Sequence, residues 1–154
     1  MRTLLFVICT LLTSFAQASS YAEGDLVSQI QLQDQFENEI SVSEDTRTLL
    51  FSRNMKGGDI IKEALEVLTA EQKQASDKLV YVADVSGMPS LIAKFVAIPQ
   101  MKDLTFSIAL DREGETTRLL PSEKDQATLI KLERLKVMSV STFDSSAELI
   151  KALR

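Results

Sequence analysis

Thr48-Leu49-Leu50-Phe51-Ser52-Arg53-Asn54-Met55-Lys56-Gly57-Gly58-Asp59 runs from a short apolar block through polar residues into a helix-periodic stretch. Thr48 to Ser52 has the length and composition of a buried strand. Arg53 to Asp59 reads as a turn-rich loop. Beyond it Ile60, Ile61, Ala64, Leu65 and Leu68 recur at helical spacing, with Lys62, Glu63 and Glu66 directed away. Asp59, following two glycines, is the expected N-cap, its carboxylate accepting bonds from helix N–H groups that lack an intrahelical partner. The polar stretch Ala70 to Asp77 closes the helix.

Working outward, Lys78 to Val85 is a second buried strand, rich in β-favouring residues. Ser86-Gly87-Met88-Pro89 is a turn, with Pro89 pre-set for a helix start. Ser90 to Ile98 then carries Leu91, Ile92, Phe95 and Ile98 on one helical face, and Pro99 is the expected stop. Leu104 to Leu110 is a third strand, and Asp111-Arg112-Glu113-Gly114 a turn. Residues 127–132 and 135–140 form a hairpin about Glu133-Arg134, and Ser145 to Leu153 a closing helix capped by Asp144. Upstream, Ile30, Leu32 and Val42 mark a pair of short strands. The expected order is β-β, β-α-β-α-β, hairpin, helix. That order predicts an α/β fold: a mixed β-sheet flanked by helices on both faces, with an N-terminal strand pair.

Residues 1–18 read as a cleaved signal peptide. Arg2 supplies the positive end, Leu4 to Leu12 the apolar segment, and Ala16-Gln17-Ala18 the small-residue cleavage site. The apolar run ends at Phe15, short of the roughly 20 residues a membrane span needs. A single domain over 19–154 follows, exported to the bacterial periplasm, with no membrane span after cleavage. The 136 remaining residues carry 16 basic and 22 acidic groups, an unpromising balance for nucleic acid or anionic lipid. The full chain of 154 residues has no His, no Trp and one Cys, Cys9, which leaves with the leader. Imidazole-based triads and metal sites are excluded, as are thiol catalysis and disulfides in the mature chain.

The order of elements resembles the thioredoxin-like superfamily, in its peroxiredoxin and exported thiol-oxidoreductase branches. The resemblance is carried by Leu49–Ser52 leading through a loop to the helix, by Phe106-Ser107-Ile108-Ala109-Leu110-Asp111-Arg112-Glu113-Gly114, and by the closing hairpin and helix from Ala127 to Leu153. It implies a redox cysteine within Met55 to Asp59, at a helix N-terminus where dipole and amides favour thiolate. No thiol stands there, nor any Ser or Thr between 53 and 59. It also implies a cis-proline facing that loop, where this chain has Lys124-Asp125-Gln126-Ala127. The resemblance is therefore to exported members lacking the redox cysteines, and it transfers no catalytic residue.

Other motifs carry less. Lys56-Gly57-Gly58 lacks the spacing of a phosphate loop, and Asp59 would repel an anion. The acidic pairs Glu37/Glu39, Glu44-Asp45, Glu113/Glu115 and Glu123/Asp125 lie in polar turns, and no calcium-loop pattern exists. Met55, Met88 and Met101 suit a soft metal in type but are scattered in spacing. Arg112, Arg118, Lys131, Arg134 and Lys136 are interleaved with acids, an ordinary mixed surface.

The expected function is non-catalytic binding of an envelope protein or a small ligand, with no cofactor and no metal. Its candidate surface is Arg53, Asn54, Met55, Lys56, Gly57, Gly58 and Asp59, faced by Ser86-Gly87 and Asp125-Gln126. The alternatives are an enzyme using carboxylates or a recruited metal, and a structural subunit of an envelope complex, which would expose an apolar patch.

Overall fold

The computed structural model describes residues 20–70 and 78–154. The expected leader with its cleavage site, and the residues 71–77 expected to close the first helix, lie outside the described residues.

The apolar block at 48–52 forms β3 (Thr48–Ser52), every residue of which is buried. It pairs in parallel with β4 (Leu79–Asp84) and antiparallel with β6 (Ala127–Glu133). β4 pairs in parallel with β5 (Ala109–Asp111), and β6 antiparallel with β7 (Lys136–Phe143). The N-terminal pair, β1 (Ile30–Gln33) and β2 (Glu39–Val42), is antiparallel and joins through β1 to β5. The described residues thus form one seven-stranded mixed sheet in the order β2-β1-β5-β4-β3-β6-β7. β3 reads as a continuous apolar run because it is central and covered on both faces.

Alternation along the strands sorts the core into two layers. Leu50, Tyr81, Ala83, Leu110 and Leu129 face α1 (Met55–Ala70), which contributes Ile60, Ile61, Ala64 and Leu65, and α4 (Ser146–Leu153), which contributes Leu149. Leu49, Phe51, Val82, Ala109 and Ile130 face the other way, against Val27, Ile30, Val42 and Leu120. The expected mixed sheet with its N-terminal strand pair and helices is present, but helical side chains enter the core on one face only, where helices on both faces are expected. Helical side chains reach the first layer, while the second is closed by the N-terminal segment and the loop at Leu120.

Four local expectations need correction. Of the strand expected over Leu104 to Leu110 only Ala109 and Leu110 are extended in β5, which also takes in Asp111, expected in the turn. Met55 to Asp59 are helical rather than loop, because Asn54 and not Asp59 caps α1. The Asn54 carbonyl accepts the Gly58 N–H at 3.0 Å and its side-chain oxygen accepts the Gly57 N–H at 2.9 Å. At the closing helix Ser145, extended at φ −138, caps by accepting the Glu148 N–H, so Asp144 lies one residue too early. Pro99 does not end its helix: Ser90–Ile92 (α2) passes through a π-helical turn, Ala93–Ala97, into Ile98–Met101 (α3). Pro99 falls in the first turn of α3, where a missing N–H costs little, and the wide turn before it carries the Ile98 N–H to the Ala93 carbonyl.

Candidate functional site

Parallel β3, β4 and β5 end at one edge of the sheet, and antiparallel β6 begins there. This brings four connections together: 53–59, 84–87, 111–117 and 124–126. Loops at the carboxyl ends of parallel strands are where open α/β sheets place their sites.

The residues from Arg53 to Asp59 divide by direction. Arg53 turns inward: its Nη2 donates to the carbonyls of Thr117 at 2.8 Å and Leu120 at 3.2 Å. Its guanidinium carbon stands 5.3 Å from the Phe51 ring centroid, a cation–π distance. Arg53 therefore braces the 117–120 loop. Its Nε and the Thr128 Oγ1, on the strand residue paired with Phe51, are buried without a partner. Asn54 is spent on the cap. Met55 and Lys56 point outward, Met55 at 74% exposure.

Gly57 is buried, and a Cβ there would overlap the Gln126 carbonyl oxygen. Its lack of a side chain lets the 126 segment close onto the helix end. Asp125 adopts φ 60 in the turn that delivers Gln126, a conformation Asp tolerates better than most residues. Gly58 sits over a buried pair, the Ser52 and Tyr81 hydroxyls, 2.9 Å apart. Burial pushes the Tyr81 phenol up to about 12; the Ser52 bond opposes this, and the charge of Asp59 adds to it. Asp59 itself is exposed on the first turns of α1.

The candidate surface is thus assembled in part. Gln126 abuts the start of α1, and Asp125 forms the turn that precedes it. Ser86 belongs to a neighbouring cluster: its Oγ and N–H both donate to Asp84 Oδ1, at 2.6 and 3.0 Å, and it stands against Gly114. Gly87 lies in open space.

Three functional-edge residues escaped the sequence reading. The buried Asp111 carboxylate accepts from the Glu113, Gly114 and Thr117 N–H groups and the Thr117 hydroxyl, 2.8 to 3.2 Å, and so orders the loop that Arg53 braces. Thr117 and Tyr81 carried no signal beyond being polar-tipped residues near apolar neighbours. Among the described residues no group of three or more His, Cys, Asp or Glu could hold a metal ion.

This sheet order, the helix packed after β3 and the hairpin-helix ending define the class: a thioredoxin-like fold. Solved structures agree. A peroxidoxin, BcpB, from Mycobacterium tuberculosis superposes with TM-score 0.55 at 15% identity, over 85% of this chain and 94% of that one. The thioredoxin domain of a thiol-disulfide oxidoreductase from Bacteroides vulgatus gives 0.55 at 14%, over 88% and 100%. An exposed lipoprotein thioredoxin from Streptococcus pneumoniae gives 0.54 at 14%, over 82% and 98%. No protein-family model and no curated protein sequence matches the chain. The fold is thioredoxin-like, and the segment from Arg53 to Asp59 holds no cysteine.

Proposed function

We propose that this chain is an exported, non-catalytic binding protein of the bacterial periplasm, engaging an envelope protein at the start of α1. The observation that carries the reading is Met55, the most exposed large hydrophobic side chain among the described residues, at 74%, with Lys56 beside it. An apolar side chain held in water at the tip of a capped, glycine-packed helix is a preformed contact. The chemistry beneath it favours binding over turnover. Ser52 faces Tyr81, whose phenol holds its proton to about 12, so Tyr81 does not serve the serine as a base near neutral pH. The leader read from residues 1–18 supports export, and one structural neighbour is itself described as an exposed lipoprotein.

A photo-reactive residue placed at Met55 in living cells tests the reading. One discrete adduct is expected, weakened by Lys56→Glu in the same chain and missing when the probe stands at Arg134, beyond the far end of β6. The same adducts from both positions would remove this surface from consideration. Export is checked by fractionation: an uncleaved chain in the cytoplasm would overturn it.

A further inference from the structure

Leu91, Ile92, Phe95 and Ile98 are expected on one helical face over 90–98, yet no residue from Ser90 to Met101 is buried. The half-buried Ile98 and Met101 pack against the first core layer. Leu91 at 70%, Phe95 at 66%, Ile92 at 48% and Val96 at 44% are exposed. The four lie within six residues of one another along this short helical segment. Phe95 and Val96 lie within the π-helical turn, and Ile98, which sequence spacing places on one face with Leu91, Ile92 and Phe95, follows it.

Charge is distributed just as unevenly. The chain has 22 acidic residues against 17 basic, yet none of the acids falls between Val85 and Lys102. That stretch carries Lys94 and Lys102, both exposed, and the Lys94 ammonium sits 5.6 Å from the Phe95 ring centroid. Asp84 and the exposed Asp103 border this stretch, so the two lysines stand free of acids only between them. The far end of the patch is also held firmly: the buried Gln35 Nε2 donates to the carbonyls of Met101 at 3.2 Å and Phe106 at 2.9 Å.

We propose that this face docks on an anionic bilayer surface, with Leu91, Ile92, Phe95 and Val96 entering the headgroup–acyl boundary and Lys94 and Lys102 meeting lipid phosphates. A protruding apolar ridge flanked by lysines is what an interfacial helix presents. The ridge is separate from the Met55 surface and does not depend on a partner binding there.

The chain has no Trp, so Phe95→Trp gives a single reporter at the centre of the ridge. With mixed phosphatidylglycerol–phosphatidylethanolamine vesicles its emission shifts to the blue, and with phosphatidylcholine vesicles it shifts less. In co-sedimentation with the purified protein, Leu91→Asp or Phe95→Asp weakens binding by at least about tenfold. Lys94→Glu weakens it by roughly tenfold, and added salt does likewise. These side chains are exposed, so an unchanged melting curve confirms that each variant is folded. No shift with anionic vesicles, or binding indifferent to the substitutions, overturns the proposal. Concentration-dependent self-association lost in the same variants, without vesicle binding, overturns it in favour of a second copy of the chain.

Discussion

At the start of α1, Asn54 closes the first turn, Gly57 admits the Gln126 carbonyl, and the Ser52–Tyr81 pair lies buried below. At the start of α2, Pro89 offers no capping side chain and the segment through Met101 buries nothing. The first region is polar and glycine-rich in sequence, the marks of a mobile site, yet its polar groups are mostly consumed in packing. The second has the apolar spacing of a core helix and stands in water. Residue type alone therefore misassigns both. What separates them is what each helix finds beneath it: a central parallel strand under α1, and only Ile98 and Met101 in reach of the core along the other segment.

The largest expected effect frees the end of the second region, which Gln35 ties to the loop after β1. Gln35→Ala removes the donors to Met101 and Phe106 and the acceptor of the Ile108 N–H at 2.9 Å, leaving buried backbone groups unpaired. A loss of about 3 kcal/mol is expected in denaturant melts. Amide exchange should quicken over 90–108 and not over α1; uniform quickening would show that the two regions are one cooperative unit.

Gly57→Ala should cost about 2 kcal/mol, since the Gln126 backbone must move and better helix propensity recovers only part. Gly58→Ala is its control. The nearest atoms there are the Tyr81 Oη at 3.4 Å and the Ser52 Oγ at 3.6 Å, so the change should be neutral or stabilising by up to about 1 kcal/mol. Equal losses at both glycines would mean that the close approach at Gly57 is not what shapes this helix start.

Tyr81→Phe strands the buried Ser52 hydroxyl and should cost about 1 to 2 kcal/mol near neutral pH. The folded chain holds the Tyr81 proton to about 12, against an ordinary value of 10.0. Stability from this group is complete below pH 10 and is lost as pH rises toward 12, because the unfolded chain releases the proton first. Melts at pH 8 and pH 11 should therefore converge in Tyr81→Phe relative to the wild-type chain. The smallest loss is expected for Asn54→Ala, about 1 kcal/mol, from loss of the cap. If Asp59→Ala proved the costlier of the two, the cap assignment would be wrong.

Much of this was legible beforehand. β3, α1, β4, the hairpin and the closing helix all announce themselves by apolar periodicity, which reflects burial directly. Boundaries were read less well. Asn54 and Ser145 cap where Asp59 and Asp144 were expected, because neighbouring residues can serve equally and only backbone geometry selects one. Of the candidate surface, the contact of Gln126 with the start of α1 was readable from the resemblance. The inward turn of Arg53, and the Ser86 cluster with Asp84, were not.

By itself the sequence determined the missing chemistry: no imidazole, one thiol confined to residue 9, and no hydroxyl between 53 and 59. It also determined the order of elements, since hydrophobic spacing is written locally. The tertiary structure alone decided which polar groups are spent and which apolar ones are left over. Gly57 and Arg53 are absorbed by Gln126, Thr117 and Leu120, residues more than sixty positions away. Leu91 and Phe95 are exposed because no element of the described fold covers them. Those outcomes depend on long-range contacts, and local periodicity carries no record of them.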